Sequence, residues 1–529
     1  MRADLATAPA SADVRGATVA HDSLGPLTRR ASFNAAAALL DYTTRIGVGL
    51  VVTPLLVSGL GRTLFGVWEM LSRIATYMHA TDGRPTEALK LVIAQRQTHP
   101  DDEAKRRYLG AALAVWVLVS PVVLATGAAL VWIAPKLTKV PPEMATEVRI
   151  TAALLVLSFM LESLASAPDS VLRGMNLAYR RMGLQSLLNV TGGVLAAGAV
   201  LTGLGLTGLA GAQIVRAALT GLCFFLLART FVKWFGAARP HLHEVKSLFG
   251  MSAWLSAGNG VSKIGLASDV VILGAVAEPA LVATYVLTGY AARVATGMHV
   301  LSASAAVPGL GGLLGAGQLE RARQARSELL LLTWLYVTAI GTTILLWNRA
   351  FLSLWVGGEN YADGMVNLLI VLIAVQTAFV RVDAYIIDAS LRPRKRVLVG
   401  ALAAVITVAL SIVLTRAYGL VGLCVAILLG RSVQTVAYPL LARTSLGRVR
   451  STLGALNGAR LILVTALLFA SAAVVGERIT PSGWVAWAGG VAASVLLISA
   501  LALLLGLASD ARALVMRRVQ ILIRTRLHR

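Results

Sequence analysis

Long apolar runs, broken by short polar or basic segments, recur along almost the whole chain. Windows such as Leu113–Ile133, Leu329–Leu346, Val397–Leu414 and Val485–Leu507 are each long enough to cross about 30 Å of hydrocarbon as helices. The pattern predicts an all-α integral membrane fold of about fourteen spans, each near the ~20 residues a bilayer requires. They lie near 33–58, 63–82, 108–133, 147–170, 184–204, 206–229, 248–273, 279–305, 328–347, 362–388, 397–415, 420–441, 457–476 and 484–507. Residues 1–30 are polar and Ala-rich with no apolar core, so a disordered cytoplasmic tail is expected there and no cleavable signal.

Composition narrows the class further. Apolar residues make up 57% of the chain and charged residues 14%, with a mean hydropathy of +0.75. Soluble domains carry about 25% charged residues, so soluble-enzyme, disordered, collagen-like and disulfide-rich classes are excluded. Cys223 and Cys424 sit in apolar windows and read as packing residues. The net charge of +23 would point to nucleic acid in a soluble chain. In a membrane protein it is first a topological signal. With the N-terminus in the cytoplasm, about 33 Lys and Arg fall inside and about 6 outside (Arg62, Lys136, Lys139, Arg349, Arg416, Arg478). Both termini are therefore expected to be cytoplasmic, and no nucleic-acid partner is expected. The run from Arg512 to Arg529 sets Val515, Val519, Ile521 and Leu522 among arginines, a pattern suited to an amphipathic helix on anionic lipid.

The chain also resembles itself. Arg73-Ile-Ala-Thr-Tyr-Met-His79 recurs as Arg293-Val-Ala-Thr-Gly-Met-His299, and Asp169-Ser-Val-Leu-Arg173 as Asp388-Ala-Ser-Leu-Arg392. Gly205-Leu-Thr-Gly-Leu-Ala-Gly-Ala212 recurs as Gly419-Leu-Val-Gly-Leu-Cys-Val-Ala426, and Arg45-Ile-Gly47 as Lys263-Ile-Gly265. These matches keep one order at a nearly constant shift, and that shift spans an even number of helices. Two equally oriented six-helix lobes follow, related by a pseudo-two-fold axis along the membrane normal, as in transporters that rock around a central site. The expected organisation is a tail (1–30), an N-lobe (31–230), a cytoplasmic linker (231–247), a C-lobe (248–442), two further spans (443–507) and a basic cytoplasmic tail (508–529). The longest inside connection, 83–107, is charged of both signs and reads as a solvated helix or loop.

Phe65-Gly66-Val67-Trp68, followed by Tyr77 and Asp82-Gly83, resembles the second-span signature of bacterial polysaccharide-export flippases. Leu172-Arg173-Gly174 and the repeated Gly-Leu-x-Gly-Leu before spans 6 and 12 are similar to the same group. That group belongs to the multidrug, oligosaccharidyl-lipid and polysaccharide exporter superfamily. The likeness covers about residues 30–505, with Asp82-Gly83-Arg84 departing from the more usual Asp-x-Gly. It implies a V-shaped pair of lobes in the bacterial inner membrane. It also implies transfer of an undecaprenyl-pyrophosphate-linked oligosaccharide from the cytoplasmic to the periplasmic leaflet, for lipopolysaccharide or related glycan synthesis. A monomer embedded in membrane lipid, working with glycan polymerase machinery, is expected.

A pyrophosphate crossing hydrocarbon needs compensating charge, and arginine presents a permanently protonated planar fork to it. Arg73 and Arg293 occupy equivalent positions in spans 2 and 8 and are the foremost substrate-binding candidates. Arg73 has an alternative partner in Glu69, four residues back, whereas Arg293 has Gly289 there. Arg45 and its equivalent Lys263 are further candidate cavity cations, with an Asp41–Arg45 pair as the alternative. Asp169 and Asp388 each precede an arginine by four residues, a spacing that favours structural pairing over ion coupling. Asp41, Glu69, Asp269, His79 and His299 complete the gating or coupling candidates, with packing the readier role for the histidines. Glu162, Arg216, Arg381, Asp383 and Arg431 are intramembrane ionisable residues without a discriminating signal. Pro54, Pro121, Pro168 and Pro308 mark bends or hinges. No catalytic residue, metal site or cofactor is expected. The phosphate-loop signature is absent, so energy would come from H+ or Na+ gradients or from the membrane potential. A cation-coupled exporter would be expected to show an acid-rich cavity and twelve spans, and a glycan polymerase or ligase a large external loop.

Overall fold

The computed structural model describes residues 15–78, 85–97, 99–390, 393–446, 455–480, 482–508 and 512, with 15–37 and 254–267 described as backbone. The helices are α1 (Arg15–Tyr77), α2 (Pro85–Gln95), α3 (Asp102–Leu137), α4 (Ala145–Gly174), α5 (Ala178–Leu201), α6 (Gly205–Phe231), α7 (Leu242–Val276) and α8 (Pro279–Thr288). After them come α9 (Tyr290–Ser304), α10 (Val307–Gly315), α11 (Leu319–Trp355), α12 (Gly364–Ala389), α13 (Pro393–Leu446), α14 (Ala455–Gly476) and α15 (Trp484–Leu501). Eleven helices among the described residues are long and apolar enough to cross a membrane. This is a multi-pass, all-helical membrane protein.

Two of the eleven bend at a glycine and carry two of the expected spans each. α1 breaks at Gly61 (φ 75°, ψ 167°), giving a first arm before that residue and a second arm after it. α13 breaks at Tyr418 and Gly419 (φ 56°). Positive φ suits glycine because no Cβ is present to clash. The expected span 279–305 is not one helix: it parts at Gly289 into α8 and α9. Hydropathy missed this break because a single glycine, with no polar segment, separates the two sides. Pro54, Pro121 and Pro168 lie inside helices, whereas Pro308 starts α10.

Among the described residues, the three largest of six apolar cores divide the molecule. The largest is built from residues near every turn at one end, including Leu56, Phe65, Ala134, Val148, Val200, Leu206, Leu273, Val282, Phe351, Val366 and Leu423. Both lobes contribute to it. At the opposite, basic end the lobes have separate cores. One gathers Leu89, Leu109, Leu172, Val232 and Leu248. The other gathers Leu310, Ala322, Ile386, Tyr438 and Leu446. The shared core joins the two bundles at one end; nearer the basic end they are tied by α7, whose Leu248 lies in the N-lobe core, and by the bond from Tyr42 to the Val294 oxygen.

Two expectations change. α1 is helical from Arg15, so half of the segment expected to be disordered is ordered backbone. The 83–107 connection contains α2, whose Pro85, Ala88, Leu89 and Ile93 are buried against the N-lobe core. The linker 231–247 is also docked: Arg106 Nε donates to the Trp234 oxygen at 2.8 Å and Ala238 N–H to the Arg106 oxygen at 3.1 Å. Arg107 Nε bonds Glu244 at 3.0 Å, and Glu244 also accepts from the His241 N–H at 2.8 Å. Burial raises the Glu244 pKa, but the His241 N–H and the Arg107 guanidinium outweigh it and hold the carboxyl below the usual carboxylate range. α7 therefore starts on the N-lobe and ends in the shared core. The last pair, α14 and α15, is fixed to α11 by bonds from Trp334 Nε1 to Thr465 (3.0 Å) and Trp347 Nε1 to Ser494 (2.9 Å).

Candidate functional site

Below the shared core, five elements converge. The second arm of α1 carries Glu69 and Arg73, α7 carries Asp269, α8 Tyr285, α9 Arg293, and the second arm of α13 Arg431. Arg73 and Arg431 each lie about 18 Å along their helices from the turns at Gly61 and Gly419, and Arg293 lies in the first turn of α9. Arg293 is solvent-exposed although its neighbour Ala292 is buried. Arg73, Glu69, Tyr285 and Asp269 are all close enough to act on its charge. The exposed Arg293 is thus flanked by charges from two other elements, α1 and α7, and by the Tyr285 hydroxyl of α8. Arg431 belongs to the same cluster: Asp269, Tyr285 and Arg381 act on it, and its Nη1 donates to Thr377 Oγ1 at 3.0 Å.

The chamber is cationic. Arg73, Arg293, Arg381 and Arg431 are accompanied by Glu69 and Asp269, while Asp388, near Arg381, is already paired with Arg396; none of these four arginines enters an ion pair among the described residues. The Glu69–Arg73 pair that the spacing allowed is not formed. Asp269 is occupied elsewhere, accepting from Tyr285 Oη at 2.9 Å and from the Val270 N–H at 2.8 Å. Arg293 donates to the Val286 oxygen of its own broken helix. Tyr77 Oη bonds Ser268 Oγ at 3.3 Å beside Asp269 and Arg73.

Other sequence candidates fall outside this cluster. Arg45 pairs with Asp41 at 3.0 Å, and Asn189 of α5 holds the same carboxylate at 2.7 Å. The side chain of Lys263, and the whole of His79, lie outside the described residues. Buried Asp169 bonds Arg173 on its own helix and Arg181 of α5 at 2.9 Å. Asp388 pairs with Arg396 of α13 at 2.9 Å, a tie between helices; Arg392, the partner that the spacing implied, lies outside the described residues. His299 is buried and stacked on Tyr336 at 5.4 Å, in a small cleft between α9, α11 and α12. Asp383 is bound by Arg326 at 2.7 Å. Within the N-lobe, Trp68, Ser72, Glu162, Gln213 and Arg216 line a separate cavity of about 200 Å³, where Glu162 and Arg216 stand 3.6 Å apart.

One face of the chamber is closed by a reciprocal contact between the first arm of α1 and α9. Tyr42 Oη donates to the Val294 oxygen at 2.7 Å, and Tyr290 Oη to the Ile46 oxygen at 3.3 Å. Each ring lies over a glycine of the other helix, Tyr42 over Gly297 and Tyr290 over Gly49. Tyrosine, acceptor and glycine keep the same spacing in both antiparallel helices, so the contact has a local two-fold. Neither element alone signals it in the sequence.

A family described as polysaccharide biosynthesis proteins matches residues 34–313. No curated protein matches the chain. Among solved structures it is similar to the lipid II flippase MurJ in an inward closed conformation, at 12% identity and TM-score 0.67, covering 88% of this chain and 98% of that one. It is also similar to an inward-facing multidrug resistance MATE family transporter of the MOP superfamily, at 16% identity and TM-score 0.63, covering 77% and 98%. A MOP superfamily transporter from Pyrococcus furiosus, with a binding pocket described as of reverse polarity, is similar at 16% identity and TM-score 0.51, covering 78% and 92%. At these identities the likeness is one of fold.

Proposed function

This chain belongs to the polysaccharide biosynthesis protein family, and on that premise we propose that it is a flippase for a lipid-linked oligosaccharide carrying a diphosphate. The undecaprenyl-pyrophosphate class is the substrate the chamber chemistry fits best, and the bacterial inner membrane, with both termini cytoplasmic, is its proposed location. The observation that carries the reading is the set of unpaired guanidinium groups, Arg73 and Arg293 foremost. Four guanidinium groups with two carboxylates leave an excess of positive charge that an anionic headgroup neutralises. An exporter of cationic drugs would place the opposite excess there.

The headgroup enters from the basic end, where the lobes have separate cores, and the arginines meet its phosphate oxygens while the lipid tail stays in the bilayer. The lobes then rock: the shared core parts and the two basic-end cores approach each other. No group on the chain is asked to form or break a covalent bond, so the proposed role is transport and not catalysis. A proton or sodium gradient, or the membrane potential at about 2.3 kcal/mol per charge per 100 mV, supplies the drive. Glycan polymerase machinery would consume the product on the far side. The test is Arg73→Gln with Arg293→Gln. Glycan export should be abolished while the protein remains inserted and monodisperse; normal export by the double variant overturns the reading.

A further inference from the structure

The break at Gly289 is stabilised from inside the chamber. Across it, the Gly289 N–H reaches the Tyr285 oxygen at 3.0 Å and the Arg293 N–H reaches the Gly289 oxygen at 3.0 Å. Two further carbonyls at the end of α8 are met by side chains. Asn348 Nδ2, buried on α11, donates to the Thr288 oxygen at 2.9 Å. Arg293 folds back along its own helix and donates through Nη2 to the Val286 oxygen. Its path crosses Gly289: a Cβ at that position would stand 2.7 Å from Arg293 Nη1. A methyl there would also stand 3.2 Å from the Tyr285 oxygen, so the movable guanidinium is the group that must give way. The equivalent position in the other lobe is Glu69, so the two lobes treat their arginines differently.

We propose that Gly289 and the Val286 carbonyl form a resting cradle for the Arg293 guanidinium, and that an anionic headgroup competes with this carbonyl for it. This rests on the reading of Arg293 as a substrate contact and adds Gly289 as a positioning residue. In the empty chamber the carbonyl satisfies the charge. Phosphate oxygens, carrying full negative charge, are stronger acceptors and draw the guanidinium away. The Val286 carbonyl then loses its partner, so headgroup binding acts on the break in the helix that closes one face of the chamber. The same competition makes the empty state bind its ligand more weakly than a free arginine would.

The test uses purified full-length protein in lipid nanodiscs with inorganic pyrophosphate as the probe. Gly289→Ala fills the cradle against the mobile end of the Arg293 side chain and releases the guanidinium. Its expected effect is about tenfold tighter pyrophosphate binding, the loss of one competing charge-assisted hydrogen bond. In an Arg293→Gln background the same substitution should change nothing. Unchanged binding in Gly289→Ala, or an equal change with and without Arg293, overturns the cradle. Wild-type affinity in Arg293→Gln alone overturns instead the substrate reading beneath it. A measurement on the unsubstituted cradle stands beside these: the ¹⁵N guanidinium resonance that disappears in Arg293→Gln should shift on pyrophosphate saturation, and a resonance that stays in place counts against the exchange.

Discussion

A methyl group added at Gly66 would lie 1.9 Å from the Pro279 carbonyl oxygen, while one added at Gly274 would lie 2.1 Å from the end of the Met70 side chain. Both glycines sit where the lobes meet, yet the two clashes differ in kind. Backbone at Pro279 cannot move without displacing α8, whereas an unbranched thioether readily finds another rotamer. Gly66→Ala is therefore expected to cost about 1–3 kcal/mol as overpacking, read as a lower thermal unfolding midpoint in detergent. Gly274→Ala should shift that midpoint much less, and equal losses would contradict the close backbone approach. Gly66 was visible in the sequence as part of a four-residue signature, but its partner was not, because the contact joins the two halves of the chain. Arg73 and Arg293 were legible for a different reason: the duplication marked them. Arg431 carried no such mark, since its role depends on which face of α13 meets Asp269 and Tyr285, and neither periodicity nor charge count fixes that rotation.

At the scale of elements, breaks were legible wherever polarity or a glycine-rich turn interrupted the hydropathy, as at Gly61 and at Tyr418–Gly419. Docked polar segments were not, because α2 and the linker 231–247 look solvated until the apolar face of α2 and the buried Glu244 find the N-lobe. The linker gives a pH prediction. Glu244 has its pKa depressed in the folded protein, so its contribution is fully present above the unfolded carboxylate value and is lost as pH falls through the lower folded value. Hydrogen exchange across residues 232–247 should thus accelerate below about pH 4.5 in the native chain and show a weaker acid response in Glu244→Gln. An identical acid response in both proteins would remove the carboxylate from the docking. The reciprocal tyrosine contact makes a second prediction. Since Tyr42 and Tyr290 occupy equivalent places in one local two-fold, Tyr42→Phe and Tyr290→Phe should weaken the α1–α9 contact by similar amounts, about 0.5–1.5 kcal/mol each by thermal unfolding. A large effect from one and none from the other would show that the symmetry of the contact is not energetic.

On the scale of the whole molecule, the arrangement of cores predicts which side opens at rest. Burial favours whichever end has both lobes in one core, so the shared-core end resists water and the end with separate cores admits it. Repeats and charge in the sequence suggest two lobes and an orientation but no resting state, because both inward-open and outward-open forms satisfy the same hydropathy. Cysteine access separates them. Tyr77 lies at the chamber, bonded to Ser268 and within reach of Arg73, while Leu56 is 9% exposed within the shared core. With no substrate present, Tyr77→Cys should react with a membrane-impermeant maleimide in inverted vesicles and stay unreactive in right-side-out cells. Leu56→Cys should resist the reagent from both sides. If a diphosphate substrate drives the lobes to rock, adding it should expose Leu56→Cys to the outside and protect Tyr77→Cys from the inside, the two changes rising together. Labelling of Leu56→Cys from outside in the empty protein would instead mean that the shared core is not the closed end at rest, and the direction assigned to headgroup entry would have to be reversed.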